Sequence, residues 1–396
     1  MTKESDGRKV LVYGLFVMTL THVLTHVYGR LYTASFPLLR EEFSFSIQQL
    51  GVIAAIPPIT QAIFSIPFGI LTDKVGSKKM LFVSLIFAVV GSIIVGFTSN
   101  PFFLIGAVCL VYLNTTVYHP ASYSYTTRLF SRKDRPKALG IHGAGGTLGV
   151  ALGPLTLSLF LGVLGLTWRH VYLFWAIPIA IGSILLVRLR EIESIESDEL
   201  SLVQLESDEE DAKSLFTLGL FVFLVYTALR TVSVQMLGTF MPIYIVDEVG
   251  FTVEQMGIIY GSLSITGLVS ATIGGLLASR FGAKRWLALT IIMNIVLLGL
   301  VPIVPGKIPF VITYLSYGFS QTFGMAARSS IIANLTPRGQ RGVGYSLLFL
   351  PGSLMGAVSP VLAATLIDLY GITTLFPASI LIMMVSVVVL VLGVKE

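Results

Sequence analysis

Three residues of the first apolar segment have side chains that can carry a proton or bind an ion. His22, His26 and Arg30 follow one another at intervals of four residues, which places them along one stripe of an α-helix together with Thr33. A neutral imidazole can take up a proton or donate a lone pair to a metal ion. A guanidinium binds oxyanions through two parallel hydrogen bonds. The stripe predicts proton chemistry beside a bound anion, with a metal site on the histidine pair as the less favoured alternative.

The elements that must position these side chains are membrane helices. Of the 396 residues, 54% are hydrophobic and only 12% are charged, about half the charge of a soluble domain. The apolar residues form about twelve runs that are each long enough to cross a bilayer. The predicted runs are 10–35, 47–71, 80–98, 102–127, 137–163, 169–187, 215–243, 254–279, 286–305, 309–333, 342–367 and 372–393.

The basic residues are distributed unevenly between the two sides of the threaded chain. One side carries only Arg40, Arg169 and Lys307, and the other carries nearly all remaining lysines and arginines. By the positive-inside rule, we expect a multi-pass protein of the cell membrane with both termini in the cytoplasm. Because the charges are scattered over short loops, we expect no nucleic-acid partner. The single cysteine, Cys109, excludes an intramolecular disulfide and a cysteine metal cluster.

An acidic segment divides the chain. Ten of the 21 acidic residues fall between Leu189 and Ser214, which is typical of a solvated linker. We predict an N-terminal six-helix half at 1–188, a cytoplasmic linker at 189–213 and a C-terminal six-helix half at 214–396. The other acidic residues fall at loops, termini and span ends, so no carboxylate is expected in the middle of a span.

The two halves repeat each other. The segment from Gly69 to Lys79, GILTDKVGSKK, returns from Gly275 to Arg285 as GLLASRFGAKR, a shift of 275 − 69 = 206 residues. The same shift relates Gln49-Leu50-Gly51 to Gln255-Met256-Gly257. A membrane protein built from two like halves is most often a transporter.

The repeated segment, between the second and third predicted spans, resembles the signature loop of the major facilitator superfamily. The resemblance covers essentially the whole chain. It implies an all-α integral membrane protein with twelve transmembrane helices in two pseudo-symmetric six-helix halves. A second set of residues resembles the fosmidomycin-resistance branch, and its glycine–proline part resembles the antiporter motif of drug exporters. This set comprises Tyr118-His119-Pro120-Ala121-Ser122, Ala138-Leu139-Gly140, Gly145-Gly146, Gly149 and Gly153-Pro154.

The superfamily resemblance implies a conformational role for the repeated loop. In this fold the acid at the position of Asp73 faces the start of the eleventh span, beside Arg338 and Arg341, and we expect that contact to favour the outward-facing state. Ser279 replaces the acid in the second copy, so the mirror contact should be weaker. We expect Gly69 and Gly76 to permit close approach and a tight turn, and Lys78 and Lys79 to anchor the loop to lipid phosphates.

The fifth span carries glycines on nearly one face, including Gly149 and Gly153, before Pro154 weakens the helix. Such a face suits close helix contact, either as a seam along which the halves rock or as simple packing. The expected gate and conformational residues are Gly69, Asp73, Gly76, Lys78, Lys79, Gly149, Gly153, Pro154, Arg338 and Arg341.

The resemblance also implies that the first, fourth, seventh and tenth spans line a central cavity. Arg30 and Arg230 lie in two of these spans with no acid nearby in sequence, which indicates an electropositive site for an anionic or phosphonate-like solute. The alternative is that Arg30 extends to the membrane surface and that Arg230 bonds backbone carbonyls. With no carboxylate available, the expected proton carriers are His22, His26 and His119, and His142 is expected to pack. The expected substrate-binding residues are Arg30, Arg230, Tyr226, Asn114, Tyr118, Tyr123, Tyr314, Tyr317 and Gln321.

These observations predict a secondary active transporter, not an enzyme, that moves a small organic, anionic or amphipathic solute by alternating access. The resemblance favours proton-coupled efflux. The charge pattern favours the alternative, proton-coupled or facilitated uptake of an organic anion. Transport of a metal or metal chelate is the least favoured possibility. We expect a monomer whose partners are its solute, protons and the lipid bilayer, with no cofactor and no resident metal.

Overall fold

The computed structural model describes residues 2–131, 134–189, 217–336 and 341–394, which form helices joined by short turns. The first half contains α1 to α8 and the second contains α9 to α15, with a short 3₁₀ turn at Ile372–Thr374. The bounds are α1 Thr2–His26, α2 Tyr28–Ala34, α3 Phe36–Phe43, α4 Ile47–Val75, α5 Ser77–Phe97, α6 Pro101–Leu129, α7 Arg135–Gly162, α8 Trp168–Val187, α9 Leu218–Asp247, α10 Val253–Phe281, α11 Ala283–Leu300, α12 Lys307–Phe323, α13 Met325–Leu335, α14 Arg341–Tyr370 and α15 Leu375–Gly393.

The membrane spans follow the predicted runs. Within the described ranges, nine helices are long and apolar enough to cross a bilayer, or ten if a bent pair in α10 counts as one span. The tenth predicted span is divided at Gly324 into α12 and α13, and the eleventh, α14, contains Pro351 and Pro360. The prediction of an all-α membrane protein with twelve spans in two like halves is confirmed.

The first compact unit comprises Met1–Phe43, Ile56–Ile195 and Val253–Gly261. In this unit α1 packs along α7, and α5 packs against α6 and α8.

The glycine face of α7 brings its backbone against that of α1. Gly149 and Gly153 lie against the carbonyl oxygens of Val23 and Val27, so a Cβ at either glycine would overlap the α1 backbone. The predicted close contact of the fifth span is therefore a contact with the first span of the same unit. Packing accounts for these glycines, and a gating role for them or for Pro154 stays a prediction.

The second compact unit comprises Ser44–Ala55, Glu196–Thr252 and Ser262–Glu396. Here α9 packs against α14 and α15, and α11 packs against α12 and α15. These pairs are the counterparts, six spans later, of the contacts that α1 and α5 make in the first unit. The internal repeat is therefore present in helix packing as well as in sequence.

One pair of equivalent contacts shows the repeat at the level of single residues. Gly51 lies against the Pro360 carbonyl in the second unit, and Gly257 lies against the Pro154 carbonyl in the first. A Cβ built at either glycine would stand 2.8 Å from that oxygen. Both residues of the pair are related by the same shift, since 257 − 51 = 206 and 360 − 154 = 206.

The two copies of the repeated loop turn on glycines in the left-handed region. Gly76 has φ 97° and Gly282 has φ 85°, a backbone that glycine adopts at little cost. The tight turn predicted at Gly76 is confirmed. At Gly69, no described atom lies within 4 Å of the place where a Cβ would stand, and the close approach expected there stays a prediction. Lys79 is exposed and Lys78 is half-buried.

Two predictions fall outside the described residues. The contact of Asp73 with the eleventh span involves the side chains of Asp73 and Arg341 and the whole of Arg338, none of which is described. The same holds for nearly all of the acidic linker, because residues 190–216 are not described.

Candidate functional site

Four of the five histidines meet inside the first unit. The ring centroid of His22 lies 4.7 Å from that of His26, 5.4 Å from that of His119 and 4.0 Å from that of His142. His22 and His26 come from α1, His119 from α6 and His142 from α7. The structure therefore brings together the three predicted proton carriers and adds His142 to them. Whether any of them carries a proton stays a prediction.

Backbone carbonyls fix the proton position on two of these rings. His22 Nδ1 lies 2.6 Å from the carbonyl oxygen of His142, and His142 Nδ1 lies 3.1 Å from that of Met18. Because a carbonyl oxygen only accepts, each Nδ1 carries the hydrogen and each neutral ring keeps its lone pair on Nε2. Both Nε2 atoms are buried and have no hydrogen-bond partner among the described residues, as is also true of His119 Nδ1.

The absence of a side chain at Gly146 on α7 leaves space for this cluster. A Cβ at Gly146 would stand 2.7 Å from Cε1 of His22, so any larger residue would push the ring aside. The centroid of Tyr118 lies 5.6 Å from that of His22, and Tyr123 lies 5.7 Å from His142. The cluster is thus bordered by aromatic rings, and no described carboxylate forms a hydrogen bond or ion pair with it.

Two of the predicted substrate-binding residues in this unit use their polar groups for helix packing. Asn114 Nδ2 donates to the carbonyl of Ser84 at 2.9 Å, and the Tyr118 hydroxyl donates to the carbonyl of Met18 at 2.8 Å. Both side chains are fully buried. Tyr123, by contrast, is 39% exposed. The donor groups of Asn114 and Tyr118 are thus engaged, whereas Oδ1 of Asn114 is buried with no hydrogen-bond partner among the described residues. A substrate contact by either residue stays a prediction.

Arg30 is held by a residue that the sequence did not single out. Its Nη1 atom lies 3.4 Å from the carbonyl oxygen of Tyr260, and its guanidinium carbon lies 4.9 Å from the centre of the Tyr260 ring. The Thr33 hydroxyl lies 3.2 Å from the Tyr260 hydroxyl. Stacking on an aromatic face suits a guanidinium, and it holds Arg30 in place without a carboxylate.

A second group of polar side chains lies in the second unit. Arg230 on α9 donates from Nη2 to the carbonyl oxygen of Gln321 at 3.1 Å. Arg328 lies on α13, within electrostatic range of Arg230, so the two positive charges repel each other. Tyr226 lies within electrostatic range of both arginines. Tyr226 is fully buried. Neither its hydroxyl nor Nε of Arg328 has a hydrogen-bond partner among the described residues.

This arginine pair lacks the charge that would neutralise it. In the part of the chain that the structure describes, neither Arg230 nor Arg328 forms an ion pair with a carboxylate; the ion pair observed there joins Arg169 and Glu42. Two like charges in a membrane protein repel each other and are costly to desolvate. An anion placed between them would relieve both effects and could accept hydrogen bonds from two guanidinium groups.

Two predicted residues of the tenth span, Tyr314 and Tyr317, belong to a row of aromatic rings on α12. Tyr314 stacks between Phe310 and Tyr317, with ring centroids at 5.8 and 6.4 Å. Both tyrosines are only 2% exposed. Gln321 contributes its backbone carbonyl to Arg230, so the structure supports its proximity to the arginine through the main chain.

Three residues of these sites were absent from the sequence-based selection. His142 lies on the same helix as the glycines that bring α7 against α1, so the glycine pattern could have predicted its position beside His22. Arg328 was visible as a basic residue of the tenth span, but that span breaks at Gly324, and Arg328 lies on the separate helix α13, within electrostatic range of Arg230. Tyr260 carries no sequence signal, because its role depends on tertiary packing alone.

Known proteins of the same class match most of this chain. A "Probable nitrate transporter NarT" of Staphylococcus epidermidis is 23% identical over 282 residues, 71% of this chain and 70% of the relative. Its counterpart in Staphylococcus haemolyticus is 25% identical over 287 residues, 72% of this chain and 71% of the relative. The "Uncharacterized MFS-type transporter YfnC" of Bacillus subtilis is 24% identical over 379 residues, 91% of this chain and 87% of the relative.

The fold is also that of a solved transporter. The chain is similar to a bacterial homologue of the human lysosomal transporter Spinster, solved in an inward-facing and unoccupied conformation, with a TM-score of 0.77. The two share 16% identity, and the match covers 97% of each chain. At this identity the likeness concerns the fold alone.

The family model agrees with the repeat, the helix order and the solved fold. The model of the Major Facilitator Superfamily matches residues 18–229 and again residues 222–396, once in each half. A protein with this fold is a multi-pass membrane transporter, as the sequence predicted. On these grounds the chain belongs to the Major Facilitator Superfamily.

Proposed function

We propose that this protein is a secondary transporter of a small anion, with oxyanions of the size of nitrate as the first candidates. The observation that carries the proposal is the group formed by Arg230, Arg328 and Tyr226 in the second unit. It combines two guanidinium groups that form no ion pair with a described carboxylate and a buried hydroxyl with no described hydrogen-bond partner.

The energetics of this group favour an anionic ligand. Each arginine at mid-helix costs about 2.5–3.5 kcal/mol to insert into a bilayer, and the second raises the cost because the charges repel. A planar oxyanion offers three acceptor oxygens to the guanidinium groups and to the Tyr226 hydroxyl. Charge-assisted hydrogen bonds of this kind contribute about 1.5–3 kcal/mol each. A cationic or purely apolar solute would leave the pair uncompensated.

The named relatives support the same substrate class. Two of them are named as probable nitrate transporters, and a match over about 70% of each chain extends into both halves. The exporter expectation rested on the resemblance of the block from Tyr118 to Ser122 and of the glycine–proline pattern to the fosmidomycin-resistance and drug-exporter branch. Named relatives that match this chain are probable nitrate transporters instead, and packing of α7 on α1 accounts for the glycines of the pattern. We therefore do not carry drug efflux forward.

Uptake of an anion sets a condition on coupling. A cell interior at negative potential repels an anion by about 2.3 kcal/mol per elementary charge per 100 mV. Accumulation therefore requires that a positive charge enter with each anion or that another anion leave in exchange. We propose symport with a proton, because a pH gradient then offsets the unfavourable electrical work.

The test is transport by the purified full-length protein in proteoliposomes. Vesicles are given an inward pH gradient, and uptake of nitrate, of a small organic anion and of a lipophilic cation is compared. We expect nitrate or the organic anion to accumulate inside the vesicles and the lipophilic cation not to be transported. Collapse of the gradient with a protonophore should abolish accumulation but leave exchange of internal for external anion.

Three variants test whether Arg230 and Arg328 bind the transported anion. Arg230→Ala and Arg328→Ala should each weaken anion binding, and Arg230→Lys should restore it only in part because lysine lacks the planar fork. Arg128→Ala is the matched control, since Arg128 is an exposed arginine at the end of α6 that bonds Ser124. Preference for a cationic solute, with stronger binding in the arginine variants, would contradict the proposal.

A further inference from the structure

The histidine cluster of the first unit has the chemistry of a metal site. His22, His26 and His119 each offer one ring nitrogen, and these three atoms all lie within 4.8 Å of one another. Two of the ligands come from successive turns of α1 and the third from α6, so an ion held by them would bridge the first and fourth spans.

A hydrogen bond to a backbone carbonyl orients the His22 ring for metal binding. Metal-binding histidines generally donate their second ring N–H to a carbonyl or carboxylate, which fixes the tautomer and the ring orientation. His22 has this arrangement, because its Nδ1 donates to the carbonyl of His142 at 2.6 Å. Its Nε2 atom is left buried with a free lone pair and no described hydrogen-bond partner.

The surrounding packing holds the ring in that orientation. The His142 ring stacks on His22 with a centroid distance of 4.0 Å and an interplanar angle of 10°. On the same side, Gly146 leaves the space that the His22 ring occupies. The buried Nδ1 of His119 likewise has no described partner. Unsatisfied buried nitrogens are costly to a fold, and a bound ion would satisfy them.

The donor set selects the class of ion. Three imidazoles suit Zn²⁺, Co²⁺, Ni²⁺ or Cu²⁺, whereas Mg²⁺ and Ca²⁺ require oxygen ligands. Zinc sites with three protein ligands commonly leave a fourth position for water or an anion. We propose that His22, His26 and His119 form a binding site for a divalent transition metal ion, with Zn²⁺ as the first candidate. This replaces the sequence-based expectation of no resident metal and does not depend on the anion proposal.

Binding is tested on the full-length chain, purified in detergent without a polyhistidine tag and stripped of metal with a chelator. Isothermal titration with Zn²⁺ should show one equivalent bound per chain, and Mg²⁺ should not compete. Titration with Co²⁺ should produce the intense visible absorption of a tetrahedral nitrogen site. Bound Zn²⁺ should also raise the apparent melting temperature, because it stabilises the folded state by mass action.

The variants assign the site to these residues. His26→Gln and His119→Gln should each weaken Zn²⁺ binding by about tenfold or more. His170→Gln should not change it, because His170 lies at the start of α8, next to Thr167 and outside the cluster. The metal-free melting temperatures of the variants show whether they fold. Undiminished Zn²⁺ binding by folded His26→Gln and His119→Gln, or a Co²⁺ spectrum without tetrahedral bands in the wild type, would overturn the proposal.

Discussion

The two units share a packing frame and differ in the chemistry that they place on it. In the first, imidazoles from α1, α6 and α7 gather around His22. In the second, guanidinium groups from α9 and α13 lie within electrostatic range of Tyr226. The helices concerned are repeat equivalents, since α1 and α9 begin the two halves and α6 and α13 belong to the fourth and tenth spans. The repeat has kept the small residues at helix contacts, while its polar side chains have diverged.

The polar side chains of the two units differ in whether they carry a permanent charge. A guanidinium is charged at every accessible pH, so the second unit presents a permanent attraction for anions. An imidazole can be neutral and can then donate a lone pair, so the first unit can bind a cation at sites that do not repel it. On these two proposals, the same helix scaffold would support opposite ligand preferences in its two copies.

The largest expected effect concerns the arginine pair. Arg230→Ala and Arg328→Ala should each cost about 1.5–3 kcal/mol of anion binding. The double variant should cost less than the sum, because both groups contact one ligand. Titration of nitrate into the purified single and double variants measures this coupling. Strict additivity would mean that the arginines do not share an anion and would remove the main contrast between the units.

The second prediction tests whether the packing frame is really common to both units. Gly51→Ala and Gly257→Ala should each lower stability by about 1–3 kcal/mol, since the added methyl meets a proline carbonyl in either unit. Gly143→Ala is the control, because a Cβ there meets nothing within 4 Å. Apparent melting temperatures in detergent give the comparison. A loss in one glycine variant and none in the other would show that the two contacts are not equivalent.

The third prediction compares two buried tyrosines whose hydroxyl groups differ in hydrogen bonding. The Tyr226 hydroxyl has no described hydrogen-bond partner, whereas the Tyr118 hydroxyl donates to the carbonyl of Met18. Tyr226→Phe should therefore leave stability unchanged or raise it while weakening anion binding, and Tyr118→Phe should lower stability by about 1 kcal/mol. Thermal melting with and without nitrate separates these effects. Destabilisation by Tyr226→Phe together with unchanged anion binding would make that hydroxyl a packing group.

The smallest effect is expected at the end of the first unit where Arg169 meets Glu42. Arg169 donates from Nη1 to Glu42 Oε2 at 2.8 Å, and Trp168 Nε1 donates to the same oxygen at 2.9 Å. The hydrogen bonds from Arg169 lower the pKa of the Glu42 carboxyl from its ordinary value. In the second unit Lys307 instead donates to the carbonyl of Gly250, which does not titrate in acid.

The sign of the pH dependence follows from that lowered pKa. Because the folded-state pKa lies below the ordinary one, the stabilisation is present above the ordinary carboxyl pKa and is lost as the pH falls through the folded-state value. The wild type should exceed Glu42→Gln by less than about 1 kcal/mol at neutral pH, as is usual for a partly exposed pair. Melting both proteins across an acid series tests this. A difference that persists at the lowest pH would show that Glu42 acts through something other than its charge.

The sequence by itself determined the class, the spans and the repeat of this protein. Long apolar runs can satisfy their backbone in a bilayer only as helices, so hydropathy alone predicts where the spans fall. The 206-residue shift predicted two like halves, and Gly51 and Gly257 keep that symmetry in their contacts. Local spacing also placed His22, His26 and Arg30 on one helix stripe, because residues four apart share a face of a helix.

Only the tertiary structure decided which of these side chains meet. His142 joins His22 because glycines let α7 approach the α1 backbone, and Arg328 lies within electrostatic range of Arg230 on a separate helix that begins after the break at Gly324. Asn114 and Tyr118 had the right type and span for a binding site, yet their hydrogen-bond donors are taken by the carbonyls of Ser84 and Met18. Such outcomes depend on which helices touch and at what rotation, and hydropathy within one segment carries no information about its neighbour.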